Sequence, residues 1–193
     1  VIGFLLFGVA LQYTGGGQFF LNLAFALLGH VRGGPAKVAI FASGLMGSMS
    51  GSVITNVLTT GSLSIPAMKR IGFQPHVAGG VEACASTGGV LMPPIMGATA
   101  FIMAINLEVP YRDIVVAAVI PSVLYFFALF MQIDGYAARN KLEGLPKIEL
   151  PTVRQTLKDG WYYVAVFALL IYLLVFMQRE AQAPFYATIL LLV

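Results

Sequence analysis

The sequence predicts an all-α polytopic membrane protein that contains a re-entrant helical hairpin and a discontinuous transmembrane helix. Hydrophobic residues make up 59% of its 193 positions and charged residues only 10%, and the charged residues separate long uncharged runs. A globular protein has about 25% charged residues, so most of this surface is not suited to water. These observations exclude a soluble domain.

The uncharged runs give the order of the elements, because one membrane crossing needs about 20 apolar residues. Residues 1–36 are predicted to hold two transmembrane helices joined by a glycine-rich turn at Thr14 to Gly17. A further transmembrane helix is expected at 111–134, a cytoplasmic connection at 135–159, and at 160–193 one helix and the start of the next. Both ends of the chain fall within apolar runs, so we expect a piece of a longer protein.

Residues 37–70 form the predicted re-entrant hairpin. The uncharged run from Val38 to Met68 is long for one crossing and short for two, and its middle, GSMSGS, favours a turn. If the hairpin returns to the face it came from, Arg32 and Lys69 share the cytoplasmic side with the basic residues of 135–159. A full crossing is the alternative, and it would remove this bias in positive charge.

Residues 74–108 are predicted to form a broken transmembrane helix. Pro93 and Pro94 have no amide proton to donate, and their rings clash with the preceding turn of a helix. We therefore expect the helix to break between Gly88 and Pro94. In secondary transporters, half-helices of this kind meet at the substrate and ion sites.

Small and polar residues lie at both interruptions. Carbonyl groups at the end of a half-helix, together with Ser, Thr and Asn oxygens, suit a small hard cation, and free amides suit a carboxylate. The alternative, which spacing alone leaves open, is that Gly47 and Gly51 only let helices pack closely and that the serines satisfy the backbone. The candidate binding residues are Ser50, Gly51, Ser52, Thr55 and Asn56 in the hairpin, and Ser86, Thr87, Gly88 and Gly89 at the break.

Other chemical groups are few. Glu82 is a functional candidate because it is an acid within a membrane segment, although it would reach headgroup water if it lay near the cytoplasmic end. His30 and His76 are expected to be solvated at the cytoplasmic boundary. Trp161 and its tyrosine neighbours 162 and 163 resemble an interfacial belt. We predict no enzyme activity and no cofactor, and the basic residues set topology and do not bind nucleic acid.

Three segments carry a family resemblance: GLMGSMSGS, TGSLSIPAMKRIGF and ACASTGGVLMPPIMGA. They resemble the large membrane subunit of TRAP (tripartite ATP-independent periplasmic) transporters, and most of all the TAXI-type branch, in which small and large subunits are fused. The resemblance extends from residue 1 to about residue 144. It implies an elevator-type, sodium-coupled importer of organic acids in the inner membrane of a bacterium or archaeon. The implied partners are a periplasmic solute-binding protein, a small membrane subunit, fused or separate, and the lipid bilayer.

The resemblance also implies a sodium site between the hairpin and the broken helix. Its residues, carried over by motif, are Ser50, Gly51, Ser52 and Asn56 at the hairpin tip and Thr87, Gly88 and Gly89 at the break, with Ser52, Asn56, Thr87 and Gly88 as the sodium ligands. A second inverted repeat, outside this chain, should supply another hairpin, another sodium site and part of the substrate pocket. An ion channel with a re-entrant pore loop is the alternative function. A structural scaffold ranks last, because it would leave the helix break without a purpose.

Overall fold

The computed structural model describes residues 2–146, 148, 150–175, 177 and 182–192. The elements found in these ranges are all helices: α1 Ile2–Tyr13, α2 Gly16–Leu28, α3 Gly34–Ser50, α4 Val53–Arg70, α5 Pro75–Gly89, α6 Gly97–Leu107, α7 Tyr111–Arg139, α8 Val153–Val175 and α9 Ala183–Leu192. By length and composition α7 and α8 could each cross a membrane, and the bent pair α1 and α2 would add a third span. The all-α class is confirmed, and the apolar helices are those of a multi-pass membrane protein.

The first two helices meet at the glycine-rich turn. They are bent by 66° relative to each other, and Gly15 has a φ of 92°, which glycine adopts without steric cost. Thr14 donates its hydroxyl to the carbonyl of Ala10 at 2.9 Å and closes the end of α1. The Tyr163 hydroxyl of α8 donates to the carbonyl of Thr14. This bond holds α8 against the turn.

Helices α3 and α4 pack against each other as a hairpin. They contain 17 and 18 residues, so each arm is about 26 Å long at 1.5 Å per residue. The connection is short: Gly51 caps α3 with a φ of 60°, and Ser52 is the N-cap of α4. A left-handed conformation at Gly51 reverses the chain within two residues. We refer to this connection as the hairpin tip.

The other end of the hairpin, its open end, lies beside the last turns of α7. Asp134 pairs with both Arg32 and Lys37, which flank the start of α3. Phe73, which follows α4, stacks on Tyr136 with 5.5 Å between ring centroids. The start of α3 and the end of α4 therefore meet the same segment of α7. Of the basic residues that the charge pattern grouped together, Arg32, Lys37, Lys69 and Arg70 lie at this open end.

The chain leaves the helical conformation between α5 and α6, within and just after the stretch for which the sequence predicted a break. The Pro93–Pro94 bond is cis. The Tyr111 hydroxyl lies 2.8 Å from the carbonyl oxygen of Pro94 and 2.7 Å from that of Ile95. The Ile95 amide donates to the carbonyl of Ser48 at 3.3 Å, so the break lies against the end of α3.

The structure differs from the sequence prediction around residues 134–160. Helix α7 continues to Arg139 and α8 begins at Val153, so the connection between them runs from 140 to 152. The extra turn of α7 is held by the ion pairs of Asp134 and by burial of Ile133 and Ala137. In α8 the backbone departs from helical geometry at Gly160, with φ −141° and ψ 28°. Residues 176 and 178–181, before α9, lie outside the described residues.

Candidate functional site

The ends of α3 and α5 are in backbone contact. A methyl group on Gly47 would lie 2.5 Å from Cα of Gly89, and one on Gly89 would lie 2.6 Å from the carbonyl oxygen of Ser43. The absence of side chains lets the two helices approach this closely. Both helices run from the open end of the hairpin towards its tip. Their C-terminal ends, which carry partial negative charge, therefore meet here.

Asn56, in the second turn of α4, lies at this contact. Its side chain is buried, and its Nδ2 atom lies 2.8 Å from the methyl position of Gly47. Nδ2 donates to the carbonyl oxygen of Ser43 at 2.9 Å, and this bond fixes which way the amide points. The Oδ1 atom is buried and accepts no hydrogen bond from the described residues. A buried acceptor of this kind can bind a water or an ion.

The other candidate binding residues of the hairpin form its tip and cap α4. The Oγ atom of Ser52 accepts two hydrogen bonds from Thr55, one from the backbone amide at 3.4 Å and one from the side-chain hydroxyl at 3.0 Å. Ser50 accepts from the amide of Ser52 at 3.4 Å. Gly51 touches the start of α6, where a methyl group on Gly51 would lie 2.7 Å from Cα of Gly97. The tip is therefore held together locally and rests on α6.

The four candidates at the break face different directions. Gly89 meets Gly47 and the amide of Asn56, as described above. Gly88 lies under the ring of Tyr125 from α7, where a methyl group would come within 2.4 Å of Cε1. Thr87 is exposed and donates its hydroxyl to the carbonyl of Ala83 at 2.8 Å. The structure thus brings Gly89 together with Asn56, but it does not bring Thr87 or Gly88 to that contact.

Ser86, the remaining candidate, belongs to a second polar cluster, around Glu82. Glu82 is fully buried, so the alternative in which it reaches headgroup water is wrong. Its carboxylate accepts hydrogen bonds from four hydroxyl groups on three helices. The donors are Ser43 at 3.1 Å, Ser86 at 3.2 Å, Thr60 and Ser64. We call these four residues and Glu82 the Glu82 cluster.

Gly61 makes room for the cluster. A methyl group on Gly61 would lie 3.0 Å from Cγ of Glu82, so the glycine lets the acidic side chain approach α4. The sequence prediction missed Ser43, Thr60 and Ser64. One signal was available: Thr60 and Ser64 are four residues apart on α4, which places both hydroxyls on one face of the helix. The same spacing joins Glu82 and Ser86 on α5.

The two polar groups adjoin one another through Ser43. Its hydroxyl donates to Glu82 at 3.1 Å, and its carbonyl accepts from Asn56 at 2.9 Å. The unpaired acceptor of Asn56 and the carboxylate acceptors of Glu82 are all oxygen atoms, and hard cations prefer oxygen ligands. Within the described ranges no group of three or more His, Cys, Asp or Glu residues is placed to hold a metal ion. Oxygen acceptors of this kind are suited to a hard cation.

The remaining residues singled out from the sequence lie at the surface or in the core. His30 and His76 are exposed near the open end of the hairpin, as expected for solvated side chains. Trp161 and Tyr162 are exposed. Tyr163 differs from the prediction, because its ring is buried against Phe19, with 5.2 Å between centroids.

Comparison with known proteins supports the resemblance. The sequence model of the family described as "Tripartite ATP-independent periplasmic transporter, DctM component" matches residues 1–193. The C4-dicarboxylate TRAP transporter large permease protein DctM of Pseudomonas aeruginosa is 32% identical over 150 residues, which are 77% of this chain and 35% of the relative. That of Vibrio cholerae is 29% identical over 189 residues, or 94% of this chain and 41% of the relative.

A second kind of relative is also similar. The sialic acid TRAP transporter permease protein SiaT of Haemophilus influenzae is 28% identical over 161 residues, which are 83% of this chain and 26% of the relative. The chain thus spans between about a quarter and two fifths of the length of these three relatives. All three are named as permeases of transporters and none as an enzyme. On the match to the family model and on these similarities, the chain belongs to the DctM family, the large permease component of TRAP transporters.

Proposed function

We propose that this chain is the part of a TRAP permease that carries a sodium-binding hairpin, in a symporter that imports organic acids across the inner membrane. The observation that supports the proposal is the buried Oδ1 atom of Asn56, which has no hydrogen-bond partner among the described residues. It lies where the C-terminal ends of α3 and α5 meet. Half-helix ends of this kind coordinate coupling ions in other secondary transporters.

The charge balance at this contact favours sodium over a divalent ion. The nearby groups, the Asn56 amide and the carbonyls at the ends of α3 and α5, are neutral oxygen donors with partial negative charge. Calcium and magnesium sites usually include carboxylate ligands. The carboxylate of Glu82 is already bonded to four hydroxyls. A monovalent cation is the occupant that neutral oxygens can hold without a further anion.

The names of the relatives and the start of α6 support an organic acid as the substrate. The similar permeases are named for C4-dicarboxylates and for sialic acid, both of which carry carboxylates. The N-terminal end of α6 has no side-chain cap, and Thr99 in its first turn is exposed. Free amides at a helix N-terminus attract carboxylates. The rest of the substrate site is expected from a second repeat outside this chain.

The family also suggests the partners and the movement. We propose that a periplasmic solute-binding protein delivers the acid, that a small membrane subunit completes the permease, and that the hairpin moves in an elevator-type cycle. Fusion of the two membrane subunits, as in the TAXI-type branch, stays a prediction. The ion-channel alternative has no support from the relatives, which are named as transporter permeases.

The test is sodium-titrated uptake by the full-length transporter, with its binding protein, in proteoliposomes. Asn56→Ala should raise the half-saturating sodium concentration about tenfold, the effect of losing about 1.4 kcal/mol of ligand binding. Thr87→Val is the matched control, because the Thr87 hydroxyl faces away from the contact and bonds within its own helix. An unchanged half-saturation in Asn56→Ala, or an equal rise in both variants, would contradict the proposed site.

A further inference from the structure

The partners of Glu82 share one chemical property. All four are hydroxyl groups: Ser43 on α3, Thr60 and Ser64 on α4, and Ser86 on α5. The ion pairs found among the described residues both involve Asp134 and none involves Glu82. The fully buried carboxyl group of Glu82 therefore has no cationic side chain as its partner among the described residues.

Hydroxyl partners suit both charge states of a carboxyl group. A hydroxyl donates one hydrogen bond and accepts others, and its hydrogen rotates to fit its neighbour. The four groups can donate to an ionised Glu82, and one of them can instead accept from a protonated Glu82. An Arg or Lys partner would hold the group as an anion, and a carbonyl partner would hold it as the acid. The Glu82 cluster therefore permits a proton to bind and leave without rearrangement of heavy atoms.

The position and packing of the cluster favour a proton as the ion that binds there. An unpaired charge within a membrane protein is costly, and such acids are found along ion and proton pathways. The carboxyl oxygens already lie at hydrogen-bonding distance from the hydroxyls, and Gly61 packs against Cγ. Sodium would have to separate these bonded oxygens, whereas a proton needs no additional space. We propose that Glu82 is a proton-binding site of this transporter.

No other titratable group of the described residues takes part in the cluster. Each charged or titratable side chain on the three helices that surround Glu82 lies elsewhere. Lys37 on α3 bonds to Asp134, and the others are exposed: Lys69 and Arg70 on α4, and His76 and Cys84 on α5. On α7, which packs against α5, Tyr125 donates to the carbonyl of Cys84 and Asp134 pairs with Arg32 and Lys37. A pH-dependent change in the cluster can therefore be assigned to Glu82.

Ser43 connects the proton site with the proposed sodium site. It bonds to Glu82 through its hydroxyl and to Asn56 through its carbonyl. A change in the charge of Glu82 therefore changes the affinity of the site at Asn56 for its cation. By thermodynamic linkage, the cation changes the affinity of Glu82 for a proton by the same factor. This coupling rests on the proposed function, but the proton site itself does not.

The first experiment observes the proton directly. Infrared difference spectra of the full-length permease should contain the carbonyl stretch of a protonated carboxylic acid, which shifts in heavy water. The band should be absent from Glu82→Gln and present in the control Glu108→Gln, whose side chain is exposed. Glutamine keeps the shape and hydrogen-bonding capacity of the acid. If Glu82→Gln does not fold, Ser64→Ala replaces it, because loss of one hydroxyl partner must shift the band.

Three results would overturn the proton site. The first is a wild-type spectrum without this band at every pH at which the protein stays folded. The second is a band that persists in Glu82→Gln or does not move in Ser64→Ala. The third is a carboxylate signal that responds to sodium and not to pH, which would identify a second sodium site in place of a proton site.

The second experiment measures the coupling to sodium. The half-saturating sodium concentration for uptake should change with pH by about fivefold or more in the wild type and in Glu108→Gln. In Glu82→Gln it should be independent of pH. A pH-independent wild type, or a pH dependence that survives in Glu82→Gln, would overturn the coupling. Uptake that needs no sodium would contradict the proposed function, and the infrared band would still decide the proton site.

Discussion

The ammonium group of Lys37 lies 2.5 Å from Oδ1 of Asp134, a contact that joins the first turns of α3 to the last turns of α7. Lys37 is only 5% exposed and also lies 4.8 Å from the ring centroid of Phe130. Arg32 pairs with the second oxygen of the same carboxylate. One acid therefore serves two cations and fixes the open end of the hairpin to its neighbour.

Replacing Asp134 should destabilise the protein more than replacing its exposed partner Arg32. Asp134→Asn leaves the buried ammonium of Lys37 without an anion, which is costly because a desolvated charge loses its compensation. We expect a lower thermal unfolding temperature of the detergent-solubilised full-length permease. Arg32→Gln is the control and should lower it less, because the Arg32 side chain is 53% exposed. Equal effects of the two substitutions would show that the Lys37 pair adds no stability.

The open end of the hairpin should face a single compartment. Cysteines at positions 32 and 69, each introduced alone into a Cys84→Ala background, should react with a membrane-impermeant maleimide from the same side of the membrane. A cysteine at Arg112, at the opposite end of α7, should react from the other side. Labelling of positions 32 and 69 from opposite sides would mean that α3 and α4 together cross the membrane. In the Arg32→Cys variant Asp134 keeps its bond to Lys37.

The contact between α3 and α5 should not tolerate a methyl group. In Gly47→Ala the new Cβ would lie 2.5 Å from a backbone atom of Gly89, which cannot rotate away. Overpacking of this kind costs about 1–3 kcal/mol. Gly79→Ala, on the same pair of packed helices, is the control, since a methyl there meets nothing within 4 Å. It should be neutral or should stabilise α5 by about 0.5–1 kcal/mol, measured as the midpoint of thermal unfolding.

The hydroxyl of Tyr111 should stabilise the helix break. Its single hydrogen is shared between the carbonyl oxygens of Pro94 and Ile95, and the ring stacks on Phe101 at 4.2 Å between centroids. Tyr111→Phe keeps the stacked ring and removes the hydrogen bond, so we expect a loss of about 0.5–1.5 kcal/mol. Tyr13→Phe is the control, because Tyr13 is 89% exposed. Protease protection of the segment 90–96 would report the same change locally, and an unaltered cleavage rate would contradict it.

Local chemistry explains which parts of the fold could be predicted. Pro93 and Pro94 interrupt a helix because of their covalent structure, so the break between α5 and α6 could be located from the sequence. Thr14 to Gly17 likewise identified the turn after α1. The extension of α7 to Arg139 could not be predicted, because it depends on contacts of Asp134 with residues about one hundred positions earlier.

The sequence predicted which segments contribute to the candidate site, but not which side chains on those helices face it. Asn56 and Gly89 meet, whereas Thr87 is two positions earlier on α5 and so points about 200° away around the helix. The residues that surround Glu82 come from three helices, and Ser43 precedes it by 39 positions. Only packing brings these hydroxyls together, so the acidic residue could be noticed from the sequence but its surroundings could not.

The contact of Gly51 with Gly97 has a mechanical consequence. Neither residue has a side chain that could bend aside, and their backbones touch where the hairpin tip meets the first turn of α6. The amide of Ile95, just before α6, is also tied to the end of α3. A displacement of the tip would therefore displace the first turn of α6 as well, so that the two would move as one rigid body.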